Sequence, residues 1–75
     1  MATISTDDVV VFIERELARH SLAGNSGELR QIRRITAYLA RVAEDVGDAA
    51  NQQRFLTLFS AADVLLRDQP AELRG

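Results

Sequence analysis

The sequence contains no cysteine, no tryptophan and no lysine, and only one proline. Without cysteine, neither a disulfide nor a thiolate metal site can stabilise the fold. At 75 residues, the chain forms a single domain, residues 1–75. A domain this small buries only about 60% of the surface of its unfolded chain. Its stability must therefore come from tight helix packing or from oligomerisation.

The chain also lacks a strong charge of either sign and a long hydrophobic run. Its net charge is −2 and 47% of its residues are hydrophobic, which is a globular composition. The charge gives no general attraction to nucleic acid, which we do not expect as a partner. The apolar run at residues 9–13 is too short to cross a membrane, and no basic leader precedes it. We expect a cytoplasmic protein without a membrane partner.

Apolar residues recur every three or four positions, which predicts three helices at about residues 6–22, 26–46 and 48–68. Polar caps and glycines mark the predicted boundaries. A frayed tail is expected at residues 70–75, because Pro70 cannot continue a helix. The predicted boundary residues are Ser5 or Thr6, Gly24, Asn25 or Ser26, Gly47 and Asp48.

The two connections are short, so neighbouring helices should be antiparallel, and the predicted fold is an all-α, up-down-up three-helix bundle. Each helix is expected to turn one apolar stripe inward. The predicted inward residues are Val9, Val10, Phe12, Ile13 and Leu17 on the first helix, Leu29, Ile32, Ile35, Thr36, Leu39, Val42, Ala43 and Val46 on the second, and Phe55, Leu58, Phe59, Ala62, Leu65 and Leu66 on the third.

Leu56 and Val64 lie outside the main stripe of the third helix, and Val11 lies opposite the stripe of the first. A helix that is apolar over much of its circumference needs a second partner. We therefore predict that a dimer partner completes the bundle, with Leu56 and Val64 in the contact between copies.

No complete catalytic or metal-binding set is present, so we expect no enzyme activity, no cofactor and no metal. The only histidine, His20, lies four residues after Glu16 and should neighbour it on one helix face. Two ligands without another histidine or cysteine do not make a tetrahedral site. Ser21, Ser26 and Ser60 do not complete a Ser-His-Asp arrangement.

A row of basic and aromatic residues follows one side of the second helix: Arg30, Arg34, Tyr38 and Arg41. Arginines beside a tyrosine can hold phosphates or carboxylates. Because the whole chain is acidic, the pattern favours an acidic protein partner over nucleic acid.

Residues 20–29 carry a local pattern with His20, Leu22, Gly24 and Leu29 in register, and Ser26 and Gly27 between them. The pattern resembles the histidine box of histidine-containing phosphotransfer domains, although Ala23 stands where that family has a lysine. The resemblance implies a helical bundle in which His20 accepts a phosphoryl group from a receiver aspartate. It also implies that Gly24 leaves room for the receiver.

Two functional hypotheses result from the sequence. The first is a small, non-enzymatic, homo-oligomeric interaction or regulatory protein that presents a helix face to a protein partner. The alternative is a phosphotransfer module of a two-component phosphorelay that acts through His20.

Overall fold

Three α-helices make up the fold in a computed structural model that describes residues 2–69: α1 (Thr6–Ala23), α2 (Ser26–Asp45) and α3 (Ala49–Arg67). Each boundary lies within one residue of its predicted position. No strand occurs within the described residues. The all-α fold is therefore confirmed, and the predicted tail at residues 70–75 lies outside the part that the structure describes.

The helix ends are defined by local hydrogen bonds that the sequence predicts. Ser5 caps α1 in a capping box, in which Asp8 N–H donates to Ser5 Oγ (3.1 Å) and Ser5 N–H donates to Asp8 Oδ2 (3.0 Å). Gly24 ends α1 at φ 66°, and Gly47 follows α2 at φ 78°. Both glycines belong to Schellman motifs, which need this left-handed backbone conformation. The turns are therefore encoded locally.

Two ion pairs between helices show the up-down-up topology. Asp7 near the start of α1 pairs with Arg54 near the start of α3, at 2.7 Å. Arg33 in the first half of α2 pairs with Asp63 in the second half of α3, at 2.8 Å. Thus α1 and α3 run in the same direction, and α2 runs antiparallel to α3.

The core is formed by one side of each helix. Thr36 is the buried polar residue within the described range, and its hydroxyl donates to the carbonyls of Ile32 and Arg33 in its own helix. Its hydrogen bonds are therefore satisfied without help from another helix. The buried hydrophobic residues are Val10, Ile13, Leu17, Leu29, Ile32, Ala40, Ala43, Phe55, Leu58 and Ala62.

The three helices do not pack equally. The α2–α3 contact is much more extensive than either contact of α1. The Cα atoms extend over 41 × 28 × 14 Å, which is wide and flat for three helices of at most 20 residues. One side of α2 is therefore left open next to α1.

The predicted inward stripes are wrong at four residues, which the structure leaves exposed: Phe12, Ile35, Val42 and Val46. For the three residues on α2, the physical reason is an apolar arc wider than α1 and α3 together cover; Phe12 stays exposed because the contact of α1 with α2 is slight. The core instead includes Ala40, which the stripe omitted. Because the side chain of Ala40 is small, α2 and α3 can pack closely at this position.

Candidate interaction surface

The four exposed residues join Leu39 to form one apolar strip between α1 and α2. We call it the groove face and define it as Phe12, Ile35, Leu39, Val42 and Val46. One end is a hollow of about 320 Å³ in which Ile4 lies near Val46. A second hollow, of about 270 Å³, lies between Phe12 and Ile35. The strip is therefore a continuous concave surface along the bundle.

The groove face exposes a large apolar area for a chain of this size. Phe12 is 59% exposed, Val42 58% and Val46 71%. The exposed apolar area of the strip and Ile4 is therefore on the order of 500 Å², which is the size of the largest apolar patch on many monomeric proteins. Soluble monomers rarely expose contiguous apolar patches larger than a few hundred Å², and such patches mark binding sites.

The spacing of apolar residues on α2 matches the seam of a coiled coil. Ile32, Ile35, Leu39, Val42 and Val46 follow one another at intervals of three and four residues. This is the period by which one helix packs along another. Ile32 is buried in the bundle and Leu39 is half-buried against the core, whereas Ile35, Val42 and Val46 are exposed. The groove face therefore has the residue spacing of a helix-packing surface.

Charged residues of both signs border the groove face. At the end formed by the start of α1 and the end of α2, Asp8 and Arg15 lie beside Phe12, and Asp45 and Arg41 lie beside Val42. At the opposite end, Glu16 and Glu28 line the groove, and Arg19 pairs with Glu16 at 3.3 Å. The border therefore has no marked charge polarity from one end to the other.

The predicted row of Arg30, Arg34, Tyr38 and Arg41 is fully on the surface. The guanidinium carbon of Arg41 lies 5.2 Å from the centroid of the Tyr38 ring, which is a cation–π contact. Neighbouring Arg33 is different, because it is held by Asp63 of α3. The row runs along the outer side of α2, next to the groove face, and its role in partner binding stays a prediction.

His20 forms the predicted pair with Glu16. Its Nε2 lies 3.1 Å from Glu16 Oε1, and its side chain is only 12% exposed. Arg19 contacts the other oxygen of the same carboxylate. A phosphoryl donor would have to displace Glu16 to reach Nε2. The predicted phosphoacceptor is therefore held inside a three-residue polar cluster at the rim of the core.

Gly24 is needed for its backbone conformation. A Cβ at this position would meet Gln69 Oε1 at 3.7 Å, which is an ordinary contact, but φ is 66°. The left-handed turn between α1 and α2 thus accounts for this glycine without a partner.

The predicted self-association residues Leu56 and Val64 are both exposed on α3. Leu56 lines a hollow of about 220 Å³ with Phe59 of α3 and Ala40 of α2. Neither residue lines the groove face. The hollow at Leu56 is therefore an apolar surface separate from the groove face.

Within residues 2–69, no group of three or more His, Cys, Asp or Glu side chains is arranged to hold a metal ion. None of the helices in this range is long and apolar enough to cross a membrane. Comparison with protein-family models, curated proteins and solved structures finds no match to this chain.

The sequence contained a signal for the groove face that the stripe prediction did not use. Two apolar lines run along α2: one holds buried Leu29, Thr36 and Ala43, and the other is the seam that ends at Val46. Because the two lines face different directions, the apolar surface of α2 is wider than the surface that its two neighbours in a three-helix bundle can cover.

Proposed function

We propose that this protein is a non-enzymatic interaction protein that binds a helix of another polypeptide chain through the groove face. The observation that carries this proposal is the exposure of Phe12, Ile35, Val42 and Val46 in one concave strip. Burying apolar surface is the main favourable contribution to most protein associations. A chain with so small a core benefits strongly from such burial.

The shape of the site supports a helix as the bound element. The apolar residues of α2 follow a coiled-coil period, and Phe12 of α1 forms the opposite wall. An amphipathic helix that lies in such a groove makes contacts with residues at i, i+3, i+4 and i+7. The bundle would then gain a fourth helix, which is a common arrangement for helical domains.

The test is a photo-crosslinking experiment in the cells from which the protein comes. A photoreactive side chain replaces Val42, in the middle of the groove face. In a matched control it replaces Leu22, which is 91% exposed at the end of α1 and lies away from the groove. We expect protein adducts from position 42 in large excess over position 22.

A second substitution, Phe12→Glu, should remove the adducts from position 42, because it places a charge in the opposite wall. Circular dichroism of the purified variant checks that the helices remain. Equal labelling at positions 42 and 22, or labelling that survives Phe12→Glu in a folded chain, would overturn the proposal.

A further inference from the structure

We infer that the helix bound by the groove face is a basic amphipathic helix of a different protein. This inference rests on the proposed function and names the chemistry of the partner. The groove face sets the apolar stripe of such a helix, and the charges around the groove set the residues on both sides of that stripe. The arginine and tyrosine row on the outer side of α2, with its predicted acidic partner, is a different surface.

The two hollows of the groove face are lined by charged residues of one sign only. Asp48 lines the larger hollow, and Glu16 and Glu28 line the other. Within residues 2–69, no arginine lines either hollow. Glu28 is exposed and forms no ion pair in this range. Its carboxylate can therefore pair with a cation of the bound helix.

Carboxylates also outnumber arginines along the outer border of the groove. Two further hollows, beside Phe12 and beside Val42, are lined by four carboxylates and two arginines. Of the seven carboxylates around the groove, two are paired with arginines that line none of these hollows, namely Arg54 and Arg19. Five carboxylates therefore remain against two arginines, in a chain whose net charge is −2. The bordering residues are Asp7, Asp8, Glu44 and Asp45, with Arg15 and Arg41.

The last turn of α2 adds to this negative charge. It carries Glu44 and Asp45 and no basic residue. Both side chains are exposed, and neither forms an ion pair within residues 2–69. The helix dipole places further negative charge at this end of α2, whereas it offsets the charge of Glu28 in the first turn. A basic residue of the bound helix should therefore gain most beside Asp45.

A second copy of this chain is a poorer occupant of the groove. Its own groove face would bring the same negative border against the first, and opposed carboxylates repel each other. A helix with lysine or arginine on both sides of its apolar stripe instead places a cation near each unpaired carboxylate. Association of two copies through Leu56 and Val64 uses another surface and stays a prediction.

The apolar positions of the bound helix follow from the two hollows. Ile35 lines one hollow and Val42 lines the other, seven residues later and about 10 Å further along α2. Leu39 lines both. Large apolar side chains at positions i and i+7 of the bound helix can therefore enter the two hollows, with a third between them opposite Leu39.

The experiment measures the binding of two synthetic helical peptides of about 18 residues to the full chain. Both carry the same leucine stripe at intervals of three and four residues. One carries lysine on both sides of the stripe, and the other carries glutamate. Fluorescence anisotropy at low salt should show at least about tenfold tighter binding of the lysine peptide, because the border attracts it and repels the other. High salt should reduce this preference by screening exposed charges.

Two carboxylates of the groove are then neutralised together in the full chain, as Glu28→Gln with Asp45→Asn. Binding of the lysine peptide should weaken about fivefold, because two exposed ion pairs are lost. The control pair, Glu14→Gln with Asp68→Asn, makes the same chemical changes at exposed residues that line none of the four hollows. It should bind the peptide like the original chain. Circular dichroism checks that both variants keep their helices.

The outcomes separate this inference from the proposed function. If the glutamate peptide binds as tightly as the lysine peptide or more tightly, the basic partner is wrong, while the proposed function stands because a helix is bound. Equal weakening by the test pair and the control pair would also overturn the basic partner. The same holds if neither peptide binds at several hundred micromolar, or if position 42 crosslinks to a second copy of this chain. Absence of adducts from position 42 overturns the proposed function itself.

Discussion

The two long sides of α2 differ in how completely they are covered. Towards α3, α2 forms an extensive contact, and Arg33, Asp63 and Arg67 add an ion-pair network at its edge. Towards α1, the contact is slight, and a concave apolar strip remains open. The same helix thus supports a closed core on one side and an open apolar surface on the other, although both sides have apolar residues at helical spacing.

The largest expected effect comes from truncating the closed side. Leu29→Ala removes a side chain with no exposed surface and should lower the free energy of unfolding by about 2–5 kcal/mol. Ile35→Ala removes a similar side chain from the groove face, where it is 44% exposed, and should cost less than about 1 kcal/mol in dilute, monomeric protein. Urea unfolding of both variants measures the difference. Equal losses would mean that the groove face is part of the core.

The next effect concerns binding. Val42→Glu places a carboxylate in the middle of the groove face and should weaken binding of the lysine peptide at least about a hundredfold, because an unpaired charge would be buried against its leucines. Leu22→Glu makes the same chemical change at an exposed position outside the groove and should leave this binding unaltered. The same change at Val64 tests the α3 surface. Peptide binding lost with Val64→Glu but kept with Val42→Glu, measured by fluorescence anisotropy, would move the binding surface to α3.

A smaller effect is expected at the turn that joins α1 to α2. Gly24→Ala forces a side chain into a left-handed conformation and should cost about 1–2 kcal/mol. Because α1 has few contacts, we expect this loss to appear as faster amide hydrogen exchange in α1, with α2 and α3 protected. Gly27→Ala, at a helical glycine with room for a Cβ, serves as the control. Uniformly faster amide exchange in all three helices would mean that α1 is held as firmly as α3, and would contradict the difference between the two sides of α2.

We expect Asp48, at the start of α3, to make a pH-dependent contribution to the stability of the folded protein. Hydrogen bonds from the Asn51 side chain and from its backbone N–H hold the pKa of Asp48 below its ordinary value of 3.8. A lowered pKa in the folded state stabilises the protein above pH 3.8, and this stabilisation is lost as the pH falls through the folded-state value. Asp48→Asn keeps a capping side chain but cannot titrate. Between pH 6 and pH 2, the melting temperature should therefore fall less for the variant than for the original protein. If the melting temperatures of the two proteins fall in parallel, Asp48 does not cause the pH dependence.

The smallest expected effect is at His20. If the chain transfers phosphoryl groups, incubation with a phosphorylated receiver domain should place acid-labile phosphate on the original protein and none on His20→Gln. From the low exposure of the side chain and its contact with Glu16, we expect little or no label on either. Stoichiometric label on His20 would favour the phosphorelay hypothesis over the interaction hypothesis.

The sequence was sufficient to predict the helices, because their boundaries depend on nearby atoms. Ser5, Asn25 and Asp48 each accept a backbone hydrogen bond from three residues ahead, and Gly24 and Gly47 adopt the left-handed conformation that ends a helix. Pairing of Glu16 with His20 also follows from spacing alone.

The groove face could not be predicted in the same way. Periodicity identifies Phe12, Ile35, Val42 and Val46 as apolar members of helical stripes, but it does not show whether another helix covers them. That depends on how α1 lies across α2, which is a property of the whole bundle. The double apolar line of α2 indicates more apolar surface than a core needs, but which of these residues stay exposed is set by the tertiary structure.

Thr36 has a consequence for how the helices align. Its hydroxyl bonds only to carbonyls of its own helix, so within residues 2–69 the core contains no polar link between helices. Buried polar links are the features that fix the longitudinal register of packed helices. In this bundle, register is left to side-chain shape and to surface ion pairs such as Asp7–Arg54, which salt weakens. A helix that enters the groove can therefore slide α1 to a new alignment without breaking a buried hydrogen bond.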